Sequence, residues 1–278
     1  MKKILFLVSL FTVLFAKGQT QDSIYFWKNG AMIHKQSIKT ADLDSITFQR
    51  PNTSGINIPG PSITDVEGNI YQSVTNCGLT FTNQNLNVSK YTDGTPIPQV
   101  TDPTQWANLT TGAWCYYNNT IANGTTYGKL YNWYAVAGIY DAASLTNPAL
   151  RKKLAPNGWH IPSDSEWSSF INCLDPNADG GNIFPNAAGG KMKSTGTSLW
   201  QSPNTDATNA SGFTGLSGGW RVNNGVFLFI GLRGYWWSIS EEVSLVGAWF
   251  CGLNYDNGSV NSYNGEKWLG FSVRCVRD

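Results

Sequence analysis

Apolar residues form one long, almost unbroken run, over residues 4–16 at the start of the chain. Lys2 and Lys3 precede it, and Ala16-Lys17-Gly18 follows with small residues at the two positions a signal peptidase reads. This pattern predicts a signal peptide over 1–18, with cleavage before Gln19. The run is too short to span a bilayer comfortably, and no Cys follows it to accept a lipid anchor. After it, the apolar pattern breaks into short pieces. Ile24-Tyr25-Phe26-Trp27 reads as a strand, Lys28-Asn29-Gly30 as a turn and Ile46-Thr47-Phe48 as a second strand, giving a short β segment over 19–50. Residues 51–62, rich in Pro, Gly, Ser and Asn, have linker composition. The main domain is expected over 63–278.

Within that domain, residues 66–71 suggest a hairpin turning at Gly68-Asn69. One helix is strongly signalled. Ser163-Asp164-Ser165-Glu166 is a capping box, in which the Ser163 hydroxyl accepts from the amide three residues on and Glu166 reaches back. Trp167, Phe170, Ile171 and Leu174 then follow at helical spacing, and Asp175-Pro176 ends the helix. A second, weaker helix is predicted over 127–136. From Gly212 onward the pattern is short strands, at 227–230, 235–238, 248–253 and 271–276, separated by Gly and Asn turns. The fold class expected is α+β, with two helices and many short irregular strands, preceded by the short β segment.

Composition narrows the function. Net charge is +1 and only 13% of residues are charged, which excludes the basic face that nucleic acid requires. With 41% hydrophobic residues and 12 Trp, the chain builds a core. A surface poor in charge and rich in Asn, Thr, Ser and Gly suits neutral polar partners, so an extracellular glycan or protein ligand is expected, and a secreted or cell-surface location. The five cysteines, Cys77, Cys115, Cys173, Cys251 and Cys275, form no CxxC pair, and His34 and His160 are the only histidines. No zinc site and no other metal or cofactor is expected; in an exported chain disulfides are the default, with one thiol left over.

Several segments resemble the Fibrobacter succinogenes major paralogous domain family: Tyr127-Gly128-Lys129-Leu130-Tyr131-Asn132-Trp133, Gly158-Trp159-His160-Ile161-Pro162-Ser163, Gly189-Gly190-Lys191-Met192-Lys193, Gly234-Tyr235-Trp236-Trp237-Ser238 and Gly270-Phe271-Ser272-Val273-Arg274-Cys275. The resemblance runs from about Ile63 to the last residue. It implies a C-type lectin-like fold of the formylglycine-generating-enzyme subtype, a scaffold that hosts enzymes and binders alike. It also implies that the first and last strands of the domain lie together. Cys115 and Cys275 both fall in family-like segments, so a Cys115–Cys275 disulfide is expected. Cys251 is the competing partner for Cys275, and Cys173 is expected to be a buried free thiol.

The candidate chemistry is binding rather than catalysis. No motif matches the paired catalytic cysteines of a formylglycine-type oxidase. Asp256-Asn257-Gly258 and Glu241-Glu242 carry oxygen ligands, but read as a hairpin turn and a solvated loop rather than a calcium site. A Ser-His-Asp triad on His160 is disfavoured because Ser163 and Glu166 serve as caps. The aromatic and amide residues near the C-terminus remain: Trp237, Asn254, Tyr255, Asn257, Asn261, Tyr263, Asn264 and Trp268. They form the expected ligand surface, with 254–268 in exposed turns. This stretch also resembles the changing segment of retroelement-diversified proteins, which precedes a Gly-Phe-Arg-type ending. The readings to separate are an adhesion or binding module, a structural surface component without a small ligand, and a formylglycine-type enzyme.

Overall fold

A computed structural model describes the backbone of residues 22–28 and 31–38, and residues 57–242 and 246–278 in full. The chain divides into two compact units, Met1–Pro51 and Asn52–Asp278. The expected signal peptide, the 46–48 strand and the Asn29-Gly30 turn lie outside the described residues. In the first unit, β1 (Asp22–Lys28) pairs antiparallel with β2 (Ala31–Ile38), and the register shifts between Phe26 and Trp27. The strand that pairs with the predicted 24–27 segment is therefore β2, in a stretch that the sequence pattern did not mark.

The second unit is α+β. One five-stranded sheet joins its two ends, in the order β10 (Trp159–His160), β16 (Val276–Arg277), β7 (Leu79–Thr82), β6 (Ser73–Asn76), β3 (Ile58–Pro59). The other is β12 (Phe227–Ile230), β11 (Gly218–Arg221), β13 (Arg233–Glu241), β14 (Gly247–Asn254), β15 (Val260–Glu266). Two small ladders complete the strands: β4 (Ile63–Thr64) with β5 (Ile70–Tyr71), and β8 (Trp114–Cys115) with β9 (Leu130–Tyr131). The β4–β5 hairpin turns where expected. Gly68 takes φ +86°, and the Asp65 carboxylate accepts from the Glu67 and Asn69 amides and the Tyr71 hydroxyl.

Six helical segments replace the two expected: α1 (Pro103–Ala107), α2 (Ile121–Tyr127), α3 (Trp133–Val136), α4 (Ala142–Thr146), α5 (Asp164–Leu174) and α6 (Ala188–Met192). Only α5 exceeds two turns, and its capping box forms as predicted, burying Trp167, Phe170, Ile171 and Leu174. The helix expected over 127–136 is split. Tyr127 is the last residue of α2, which Gly128 ends at φ +73°; Leu130-Tyr131 is drawn into a strand beside Trp114-Cys115, and beyond it 133–136 is helical. Backbone pairing with neighbouring segments outweighs the apolar spacing there. No described helix is long and apolar enough to cross a membrane.

Two large apolar clusters flank the β11–β15 sheet. On one face Trp236, Cys251, Leu253 and Val260 meet α5 residues together with Phe81 and Phe213. On the other, Tyr235, Trp237 and Phe250 meet Phe271, Tyr131 and Trp133. The segment Gly270-Phe271-Ser272 threads between elements. It bonds reciprocally with Arg221, with Tyr131, and with Tyr235 and Trp237 in turn. Buried cations are satisfied by carbonyl oxygens. Arg274 donates to Thr82, Phe213 and Thr214 carbonyls and the Asn85 amide oxygen; Arg221 donates to the Val100, Thr101 and Gly225 carbonyls. A buried charge persists only when so compensated.

The cysteines correct the expectation. Cys77 bonds to Cys173 with Cα atoms 5.9 Å apart, whereas Cys115, Cys251 and Cys275 are free and buried. The ends of the domain do come together, but the neighbour of Cys275 is Thr82, whose N–H donates to the Cys275 carbonyl and whose hydroxyl accepts the Cys275 N–H. Cys115 lies in a different ladder and a different apolar cluster, with Trp106 and Leu130. Cys173, expected as the buried thiol, is half-buried on α5 and faces the β6–β7 turn instead.

Candidate functional site

The β11–β15 sheet carries one aromatic side chain per strand in a continuous row. Phe229 of β12 lies 6.2 Å from Trp220 of β11, which stacks on Tyr235 of β13 at 5.0 Å and 22°. Tyr235 meets Phe250 of β14 edge-on at 5.6 Å, and Phe250 meets Tyr263 of β15 at 5.9 Å. The pleat explains the alignment. Cα partners Phe250–Tyr263, Gly252–Asn261 and Tyr235–Gly252 place these residues on one face. Glycine makes room for the rings: a Cβ on Gly252 would lie 2.9 Å from the Tyr235 ring, and one on Gly265 would lie 2.9 Å from Phe250. Phe271 supports the row from within, parallel to Trp220 at 5.6 Å and 6°, and 4.4 Å from Trp237.

The middle of the row is covered by the core and its two ends are accessible. Tyr235 and Phe250 are nearly buried, Trp220 and Phe229 are half-exposed, and Tyr263 is 53% exposed. At the Phe229 end Arg233 sits over the Phe229 ring at 4.4 Å and donates from Nη1 to the Tyr235 hydroxyl at 3.3 Å. Asn254 is the Cα partner of Arg233 across the β13–β14 pair, and Asn261 lies one strand further. Among the described residues the side-chain amides of Asn254 and Asn261 take no hydrogen-bond partner, although Asn261 is only 6% exposed. Phe229 holds φ +66°, a left-handed backbone that a bulky residue adopts at a cost. Strain of this kind concentrates at functional positions. The Trp220 indole N–H is buried with no acceptor among the described residues.

The eight expected ligand residues therefore separate. Asn254, Asn261 and Tyr263 share the face with the aromatic row. Trp237 does not reach a surface: it is fully buried, donates to the Tyr131 carbonyl at 2.8 Å, and supports Phe271. The reason is its pairing with Phe250 in mid-sheet, where the first core cluster covers it. Tyr255 and Asn257 lie in the β14–β15 turn; Tyr255 leans on the second core cluster. Asn264, partner of Trp249, alternates to the opposite face. Trp268 lies past β15, half-exposed, with its indole N–H on Glu266. Residues 260–266, expected as turn, form an edge strand. The site residues that sequence reasoning passed over are Trp220, Phe229, Arg233, Tyr235 and Phe250. The two-residue spacing of Arg233 and Tyr235 was visible; the pairing that brings them to Asn254 and Asn261 was not.

The oxygen ligands of the 256–258 turn are committed elsewhere. The buried Lys193 ammonium takes the carbonyls of Thr205, Asn254 and Asn257 at 2.6, 3.0 and 2.9 Å. Burial lowers its pKa to about 8 against the pull of Asp206 and Asp256. Lys193 therefore fills the position a cation would need and anchors the loop that carries Asn254. Glu241 is paired with Lys267. No group of three or more His, Cys, Asp or Glu among the described residues is placed to hold a metal ion.

Two other reactive-looking groups are explained by packing. Burial pushes the Cys115 and Cys275 thiols up to about 12 and Cys251 higher still, away from the thiolate that nucleophilic chemistry needs. His160 is held between two carboxylates, Nδ1 to Asp278 at 2.8 Å and Nε2 to Glu166 at 2.7 Å. Glu166 also accepts from the Ser163 amide and hydroxyl, so its oxygens serve the helix cap and the imidazole.

The profile of the Fibrobacter succinogenes major domain matches residues 74–277, more than half of the chain. No curated protein matches the chain, and no solved structure matches it.

Proposed function

The chain belongs to the Fibrobacter succinogenes major domain family, and from that membership we propose an exported, non-catalytic module that binds a glycan or protein ligand. In this reading residues 1–18 are a cleaved signal peptide, and residues 63–278 are a C-type lectin-like domain of the formylglycine-generating-enzyme subtype. The pairing of β7 near the start of the domain with β16 at its end supports that fold assignment, as do the long loop-rich stretches between them. The ligand lies on the open margin of the β11–β15 sheet.

The observation that carries this reading is the aromatic row from Phe229 to Tyr263, one ring per strand, with two amides beside it that have no partner among the described residues. Aromatic planes stack on sugar rings and dominate protein hot spots, and amides without partners are donors and acceptors held ready. The buried, unreactive thiols favour binding over a formylglycine-type oxidation. The test is a binding assay on a glycan array with wild type, Trp220→Ala and Tyr263→Ala. Both variants should lose at least tenfold in affinity, and Tyr263→Ala should melt within a few degrees of wild type. Wild-type binding by both variants would remove the face from the mechanism. Export is checked separately, by mass spectrometry of the secreted protein: its N-terminus should be Gln19, and an intact Met1 would refute cleavage.

A further inference from the structure

Arg233 differs from the other two arginines that meet aromatic rings in this domain. Arg221 and Arg274 are fully buried, and carbonyl and amide oxygens take up their guanidinium donors. Arg233 is half-buried, its guanidinium over the Phe229 ring and bonded to the Tyr235 hydroxyl. No carboxylate among the described residues is within ion-pairing distance of it. Arg233 is the Cα partner of Asn254, whose next neighbour across the sheet carries Asn261. The Phe229 ring that meets the guanidinium belongs to a residue in a left-handed backbone conformation, φ +66°.

Resting on the binding function proposed above, we infer that this margin takes a saccharide bearing a carboxylate, with the acid group on Arg233. Three kinds of group meet here, and each selects a part of such a ligand. Trp220, partly exposed, supplies an apolar contact for a pyranose ring. The Asn254 and Asn261 amides, with no partner among the described residues, pair with hydroxyls in both donor and acceptor senses. The planar guanidinium fork matches a carboxylate with two parallel hydrogen bonds, and a cation pre-oriented by an aromatic ring loses little freedom on binding. A neutral sugar in the same position offers the guanidinium only hydroxyl oxygens, weaker acceptors than a carboxylate. One cation is too few for a nucleic acid backbone, where several phosphates must be neutralised together.

The experiment uses an array of oligosaccharides ending in galacturonate, glucuronate or sialate, each beside its carboxyl-reduced counterpart, and full-length mature protein. Wild type should bind at least one acid form tenfold or more tightly than its reduced form, with affinity falling as salt is raised. Arg233→Gln should weaken the acid form tenfold or more and abolish the discrimination, while Arg233→Lys, which keeps charge but not the fork, should fall between. Equal binding of acid and reduced forms, or unchanged affinity in Arg233→Gln, overturns the inference while leaving the face as a neutral binding site. Silence toward every sugar, acid or reduced, overturns the inference and removes the glycan half of the function proposed above. If Arg233→Gln does not fold, the wild-type comparison of acid and reduced forms decides alone.

Discussion

Replacing both Cys77 and Cys173 by Ser removes the one crosslink among the described residues, and its effect follows from the chain it closes. The two cysteines are 96 residues apart. A loop of that length loses roughly 4.7 kcal/mol of denatured-state entropy at 25 °C in the chain-entropy treatment. Two features of the folded state moderate this. Both residues are half-buried, so the serine hydroxyls reach water and cost little. Cys77 holds φ +54° in the β6–β7 turn, and without the bond that turn is free to relax. The expected loss is therefore about 3–5 kcal/mol, a large share of the 5–15 kcal/mol typical of a domain. The consequence is structural as well as energetic, because the bond ties the sheet that joins the domain ends to α5, the helix beneath the β13–β14 pair. Urea unfolding, followed by tryptophan fluorescence with and without reductant, measures the effect. Wild type should lose stability on reduction, and the double serine variant should be unaffected by reductant. A wild-type midpoint indifferent to reductant would refute the reasoning. So would a non-reducing peptide map that joins Cys115 to Cys275.

Three further outcomes are expected. Lys193→Met should destabilise by about 3–5 kcal/mol, because the Thr205, Asn254 and Asn257 carbonyls lose their shared donor; a loss below about 1 kcal/mol in urea unfolding would show the cage to be dispensable. The His160 cluster should give stability a pH optimum. Burial opposes the His160 charge, but hydrogen bonds to Asp278 and Glu166 prevail and raise its pKa, so its contribution is complete below about pH 6.5 and lost as pH rises through the folded value. Glu166 is opposed by burial and lowered by its bonds to Ser163 and His160, so its contribution is present above the ordinary carboxylate range and lost as pH falls through the folded value; His160→Gln should flatten the alkaline side, and an unchanged profile would count against the bridge. Glu166→Ala should cost about 0.5–2 kcal/mol as a lost cap and leave sugar binding intact; loss of binding at unchanged stability would make it a functional acid.

What this sequence determines alone is what its neighbours in the chain suffice to build. The α5 cap needs only Ser163 and Glu166, three residues apart, and the hairpin at Gly68 needs only a short turn closed by Asp65. The strands at 227–230, 235–238 and 248–253 were legible because β-branched and aromatic residues fall between glycines. Three things depended on tertiary structure. Leu130-Tyr131 became a strand because Trp114-Cys115 lay beside it to pair. Trp237 and Tyr263, similar as aromatic residues near the C-terminus, ended at opposite extremes of exposure because one pairs in mid-sheet beneath Phe271 and the other stands on the edge strand. Cys275 met Thr82 rather than Cys115, since closure of the domain ends selects strands and says nothing of which side chains face each other. The aromatic row has the same origin: register brings Trp220, Tyr235, Phe250 and Tyr263 from four strands to one face, and a shift of one residue in any of these strands would turn its ring to the other face.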